Sequence, residues 1–145
     1  MSFKPLYPHK ARLEYFLEDG SETFVEGNLV YIDSDGYLTE CGADPTSIRG
    51  AAAQDASGTE GTKIGVWLAE PGVVFSAKCS TTTAQTQVGA NYGTVDSSSV
   101  WKVDISETST KSVHVENIDP RWAVGTDGGR LNVTFLASVC QGSED

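Results

Sequence analysis

Short apolar runs that alternate with period two, each closed by a turn signal, recur along the whole chain and leave little room for helices. Residues 11–17 place Leu13, Tyr15 and Leu17 on one face and Arg12, Glu14 and Phe16 on the other. Trp101, Val103 and Ile105 alternate with Lys102 and Asp104; Val113 and Val115 flank His114; Leu131, Val133 and Phe135 alternate with Asn132 and Thr134. A two-residue period is that of a strand with one buried face. Residues 63–68 and 72–78 are apolar runs too short for a typical helix, joined by the turn Glu70-Pro71-Gly72.

The clearest hairpin runs out through residues 28–32, turns at Asp33-Ser34-Asp35-Gly36 and returns through residues 37–41. Asp-Gly supplies the backbone conformations that a tight turn needs. Residues 48–54, with Gly50 and three alanines, read as a short strand or at most one helical turn. Residues 80–86 are threonine-rich and read as a surface loop or a polar helical turn, and Asn91-Tyr92-Gly93 reads as a turn. The sum is eight or nine short strands with short connections, which predicts an all-β fold, a small β-barrel or β-sandwich-like domain.

A chain of 145 residues fits one domain and buries roughly two-thirds of its unfolded surface. Pro5 and Pro8 make the beginning unsuited to a central strand. Residues 1–10 are therefore expected to be an extended N-terminal arm, residues 11–140 a single β domain, and residues 141–145 a polar, frayed tail. Twenty acidic residues against ten basic ones give a net charge of −10, which disfavours nucleic acid and acidic membrane surfaces as partners. A hydrophobic content of 39% with three tryptophans excludes a disordered acidic tail. The sequence has no apolar run of the ~18 residues a membrane helix needs, and its start does not read as a secretory signal.

Catalytic patterns are weak. His9 falls in the expected arm and His114 projects away from the face of its strand that carries Val113 and Val115; no Gly-x-Ser-x-Gly elbow accompanies them. No carboxylate pair stands out as a glycosidase dyad. Asp33-Ser34-Asp35-Gly36 looks faintly like a calcium loop but is followed by a strand pattern, so it reads as a hairpin turn. The glycine-containing stretches 58–63 and 125–129 lack phosphate-loop order. Cys41, Cys79 and Cys140 match neither a disulfide framework nor a zinc pattern and read as buried thiols. Asn132-Val133-Thr134 matches a glycosylation acceptor, and Trp67, Trp101 and Trp122 read as buried or interface tryptophans ahead of a carbohydrate platform. No enzyme, cofactor or metal is expected.

Several segments together resemble the head-decoration, or cement, proteins of tailed bacteriophages. They are Gly27-Asn28-Leu29-Val30-Tyr31-Ile32-Asp33-Ser34-Asp35-Gly36-Tyr37-Leu38, Ile48-Arg49-Gly50-Ala51-Ala52, Gly61-Thr62-Lys63-Ile64-Gly65-Val66-Trp67 and Val73-Val74-Phe75-Ser76-Ala77. Gly89-Ala90-Asn91-Tyr92-Gly93 and Gly128-Gly129-Arg130-Leu131-Asn132-Val133-Thr134-Phe135 fit the same pattern. The resemblance implies a β-barrel-like domain on the outer surface of an icosahedral head. It implies homotrimers at three-fold and quasi-three-fold positions that clamp neighbouring copies of the major capsid protein, often through an N-terminal arm. Phe3, Leu6 and Tyr7 would then be apolar anchors and Lys4 and Lys10 basic ones for a capsid or neighbour contact. The stretch before Glu26 and the threonine-rich loop depart from the pattern. The alternative expectation is a tail-associated or surface-exposed β-domain that binds a host glycan or receptor.

Overall fold

A computed structural model describes residues 3–97 and 99–141. The chain is all-β, as the alternation predicts. Among the described residues it has eleven strands: β1 (Lys4–Pro5), β2 (Leu13–Leu17), β3 (Leu29–Ile32), β4 (Leu38–Glu40), β5 (Gly50–Ala52), β6 (Lys63–Leu68), β7 (Val74–Cys79), β8 (Asn91–Ser97), β9 (Val100–Asp104), β10 (Val113–Ile118) and β11 (Arg130–Phe135). Single 3-10 turns occupy Pro8–Lys10, Gln85–Gln87 and Ala137–Val139.

Strands β7, β11, β10, β8 and β9 form a barrel, closed by a parallel pairing of β9 with β7, and β1 adds to the free half of β7. The second sheet is antiparallel throughout, in the order β2-β6-β5-β3-β4. Alternate residues of the barrel strands point inward: Phe75, Ala77 and Cys79, then Trp101 and Val103, then Val113 and Val115, then Leu131, Val133 and Phe135. Glu116 is an extra residue between Val115 and Asn117, a bulge that bends β10 around the barrel.

The barrel does not close its core alone. Leu29 and Ala51 from the second sheet, with Ile48 and Ala69 beside them, belong to the same buried cluster as the barrel residues. The other face of that sheet buries Val30, Leu38, Ala52, Ile64, Val66 and Leu68 with Phe24 in a smaller core. Gly50 lies where β5 passes β6 so closely that a Cβ would sit 2.0 Å from the carbonyl oxygen of Trp67, so only glycine fits. After β11 the chain returns to the second sheet: the Ile48 amide donates to the Val139 carbonyl at 2.7 Å, and the Gln141 amide donates to the Ile48 carbonyl at 2.9 Å.

Three expectations are corrected, and the expected arm is given a place. Residues 3–5 of that arm pack on the barrel. Phe3 is 1% exposed and stacks on Phe135 at 5.6 Å, and β1 pairs Lys4 with Ser76 and Pro5 with Phe75. A proline is tolerated there because β1 is an edge strand. Asn91-Tyr92-Gly93 is not a turn but the start of β8, and Gly93 is needed because a Cβ would meet the Thr110 carbonyl at 2.7 Å. Gln141 is not frayed: its side chain accepts from the Ile32 amide and donates to the Ile32 carbonyl, both at 2.7 Å. The rest of the expected tail, residues 142–145, and arm residues 1 and 2 lie outside the described residues. Finally, the β2 residues Leu13, Tyr15 and Leu17, expected on the buried face, are 40%, 61% and 42% exposed. They share a face with Trp67, but β2 lies beyond β6 at the sheet edge, where the joint core has ended.

Burial of Phe3 makes the first strand part of the fold. Phe3→Ala should cost about 3 kcal/mol, read as a lower urea midpoint at unchanged slope. An unchanged midpoint would mean that residues 3–5 sit on the barrel without stabilising it.

Candidate functional site

The five residues expected to make a capsid or neighbour contact separate in the structure. Phe3 is in the core and presents no surface. Lys4 and Leu6 are half-buried, and Tyr7 and Lys10 are exposed. The Lys10 ammonium sits 5.4 Å from the centre of the Tyr7 ring, so these two residues form one cation–π unit around the Pro8–Lys10 turn. Of the five, Lys4, Leu6, Tyr7 and Lys10 therefore present surface.

The polar residues singled out from the sequence have local structural roles. One Asp33 carboxylate oxygen accepts from the amides of Asp35 and Tyr37 at 2.9 and 3.0 Å, and the other accepts from the Thr39 hydroxyl at 3.1 Å. These bonds build the hairpin turn, with Gly36 at φ +88°, and the Tyr37 amide above all holds the Asp33 carboxyl below its usual pKa. His114 Nδ1 is 2.7 Å from the Asn91 side-chain oxygen, a cross-strand pair on the barrel wall. Asn132 is buried and donates its amide to the Asn117 side-chain oxygen at 2.7 Å, so its nitrogen is not presented as a glycosylation acceptor. All three cysteines are buried; burial pushes the Cys41 thiol far up and the Cys140 thiol to about 11. Glu18 is fully buried and accepts from the Ser57 amide and hydroxyl and from the Gly58 amide, pinning that loop. Near it the Glu22 carboxyl is raised, first by burial and then by the charges of Asp19, Glu40 and Glu18, against a backbone bond to Glu40 that lowers it. Among the described residues no group of three His, Cys, Asp or Glu side chains is set to hold a metal, and no helix is long and apolar enough to cross a membrane.

The tryptophans also separate. Trp101 is fully buried, Trp67 is half-buried against the joint core, and Trp122 is 43% exposed. Trp122 sits on a turn built by Asp119, whose carboxylate accepts from the Arg121 amide at 3.0 Å and from the Arg121 guanidinium at 2.5–3.2 Å. The Trp122 amide donates to the Asp119 carbonyl at 3.0 Å, and Pro120 suits the second position of such a turn. This places Arg121 and Trp122 with Lys4 and Arg130 around an open cleft of about 400 Å³. Arg130, 8% exposed, is held by the Ser76 hydroxyl at 2.7 Å and the Ser76 carbonyl at 3.1 Å.

Strand register extends the cleft into a row. Arg130 of β11 lies opposite Lys78 of β7, and Lys78 lies opposite Lys102 of β9. Three cations thus stand side by side on adjacent strands, roughly 4.8 Å apart at the backbone, with Lys4 diagonal to Lys78 across β1 and β7. Among the described residues neither Lys78 nor Lys102 has an ion-pair partner. The alternation showed that Lys102 faces away from Trp101, but nothing local showed that Lys78 and Arg130 would flank it.

Comparison with protein-family models finds no match, and comparison with curated proteins finds none either.

The Asp119 carboxyl lies below its ordinary pKa, chiefly because the Arg121 side chain donates to it. Its stabilising effect is therefore complete above its unfolded pKa of about 4 and fades as pH falls through the lower folded value. Arg121 is 62% exposed, so solvent screening keeps the pair's contribution small. Asp119→Asn should lower the urea midpoint at pH 7 and converge with the wild type as both are taken below pH ~4. A constant gap down to acid pH would mean that the carboxylate charge is irrelevant and only the turn geometry matters.

Proposed function

We propose that this chain is a structural, non-enzymatic virion protein that binds the outer surface of a bacteriophage capsid and stabilises the expanded head. The observation that carries the reading is where the resembling segments fall. The Gly27 to Leu38 segment is the β3–β4 hairpin, Gly50-Ala51-Ala52 is β5, Lys63 to Trp67 lies in β6, and Val74 to Ala77 lies in β7. Those segments build the second sheet and the barrel strand that shares a core with it. A protein of this kind acts by mass action, since binding to the assembled shell and not to its dissociated parts stabilises the shell.

On this reading the partners are the major capsid protein and two further copies of the chain in a homotrimer, at three-fold and quasi-three-fold positions. Trimeric attachment would turn individually weak contacts into avidity. Lys4, Leu6, Tyr7 and Lys10 are the N-terminal residues in a position to touch a neighbour. A tail-associated domain binding a host glycan is the second reading, and the exposed Trp122 beside three cations favours it.

The test is to mix purified protein with undecorated, expanded heads and image them by cryo-electron microscopy. Density at the three-fold positions is the expected result, and Tyr7→Ala should lower its occupancy without unfolding the protein. Heads that stay bare under saturating protein would overturn the shell reading.

A further inference from the structure

We propose that the barrel wall formed by β1, β7, β9 and β11 is a docking face for an acidic protein surface. This rests on the shell-binding reading for its setting, and it adds the face used and the charge of the partner.

The row is electrostatically frustrated. Like charges directly opposite each other on neighbouring strands destabilise a sheet. Here Arg130, Lys78 and Lys102 occupy one such row, in a chain with twice as many acids as bases to pair them with. Arg130 is held by Ser76 and has Asp119 nearby, but Lys78 and Lys102 have no ion-pair partner among the described residues. Lys78 and Lys102, without ion-pair partners among the described residues, are compensated when carboxylates of a partner lie across them.

Charge is also unevenly distributed over the chain. Residues 11–70, which form the second sheet and its loops, carry twelve of the twenty acids and only three of the ten bases. The barrel wall gathers Lys4, Lys78, Lys102, Arg121 and Arg130, half of all the bases, in one region. The chain therefore approaches an acidic surface with this wall leading, since long-range fields orient an encounter.

The shape of the site selects among anionic partners. The row spans three strands, about 10 Å, on a chain whose net charge is −10. A long polyanion such as a nucleic acid would run off the row into repulsion. A carboxylate patch on a protein needs only the wall itself. Trp122 beside Arg121 and Arg130 adds the residue types that dominate binding energy at protein interfaces.

The experiment uses the full chain and a labelled, short Glu- and Asp-rich peptide, with binding read by fluorescence anisotropy at low salt. The wild type should bind weakly and release the peptide as salt rises. Lys78→Glu should weaken binding about tenfold or more. The same change puts an acid between Arg130 and Lys102, so it should raise the urea midpoint of the free protein and exclude unfolding as the cause. Lys63→Glu, an exposed cation on β6, should leave binding within about twofold.

No peptide binding by the wild type would overturn the proposal. So would unchanged binding by Lys78→Glu, an equal loss in Lys63→Glu, or tighter binding of a single-stranded oligonucleotide or sulfated oligosaccharide. Heads left bare by a protein that still binds the peptide would count against the shell reading alone and leave this face assigned.

Discussion

The fold turns on one buried indole. Trp101 comes from the barrel, is fully buried, and donates its N–H to a carboxylate oxygen of Glu40 on the second sheet at 2.9 Å. The same oxygen accepts from the Asn28 side-chain NH2 at 3.1 Å, so the bond belongs to the β3–β4 hairpin as much as to the barrel. Burying an indole removes on the order of 200 Å² of surface, or about 5 kcal/mol of transfer free energy. A hydrogen bond to a charged acceptor adds roughly 1.5–3 kcal/mol, and leaving either partner unsatisfied costs a similar amount. The contact is apolar over most of its area and directional at one point, which fixes the distance and rotation between the two sheets.

Other features follow from that shared core. The second sheet can present Leu29 and Ala51 to the barrel only because β5 and β6 approach each other closely at Gly50. The C-terminal segment must return to Ile48 and Ile32 because the joint core is open there until Val139 and Cys140 close it. Phe3 seals the barrel beside Phe135 and draws the N-terminal residues into the sheet. With the interior committed in this way, the outer wall carries Arg130, Lys78 and Lys102 in one row across three strands.

Much of this was legible in the sequence, and the failures share a cause. The hairpin at Asp33-Ser34-Asp35-Gly36 was readable because its turn chemistry is local, and the structure shows each Asp33 oxygen at work in it. The alternation in β9, β10 and β11 was readable because one face of each strand is buried in the barrel. The reading failed where burial depends on what lies beyond the strand. Leu13, Tyr15 and Leu17 alternate as a buried face would, but the core ends before β2. Asn91-Tyr92-Gly93 looks like a turn because the reason for Gly93, close passage of the chain at Thr110, is tertiary. Phe3 sits in a proline-bearing stretch with no periodic pattern, so its partner Phe135 had no local signal. The row of Arg130, Lys78 and Lys102 depends on register among three strands far apart in sequence, and only the closed barrel brings them into line.

Barrel and second sheet form one cooperative unit held at the Trp101–Glu40 contact. Native-state hydrogen exchange tests it most directly, because it resolves whether parts of a structure open separately. The amides of β3, β5 and β6 and those of β7, β10 and β11 should merge into a single opening free energy equal to global unfolding. Two well-separated plateaus, with the second sheet exchanging while the barrel stays protected, would contradict it.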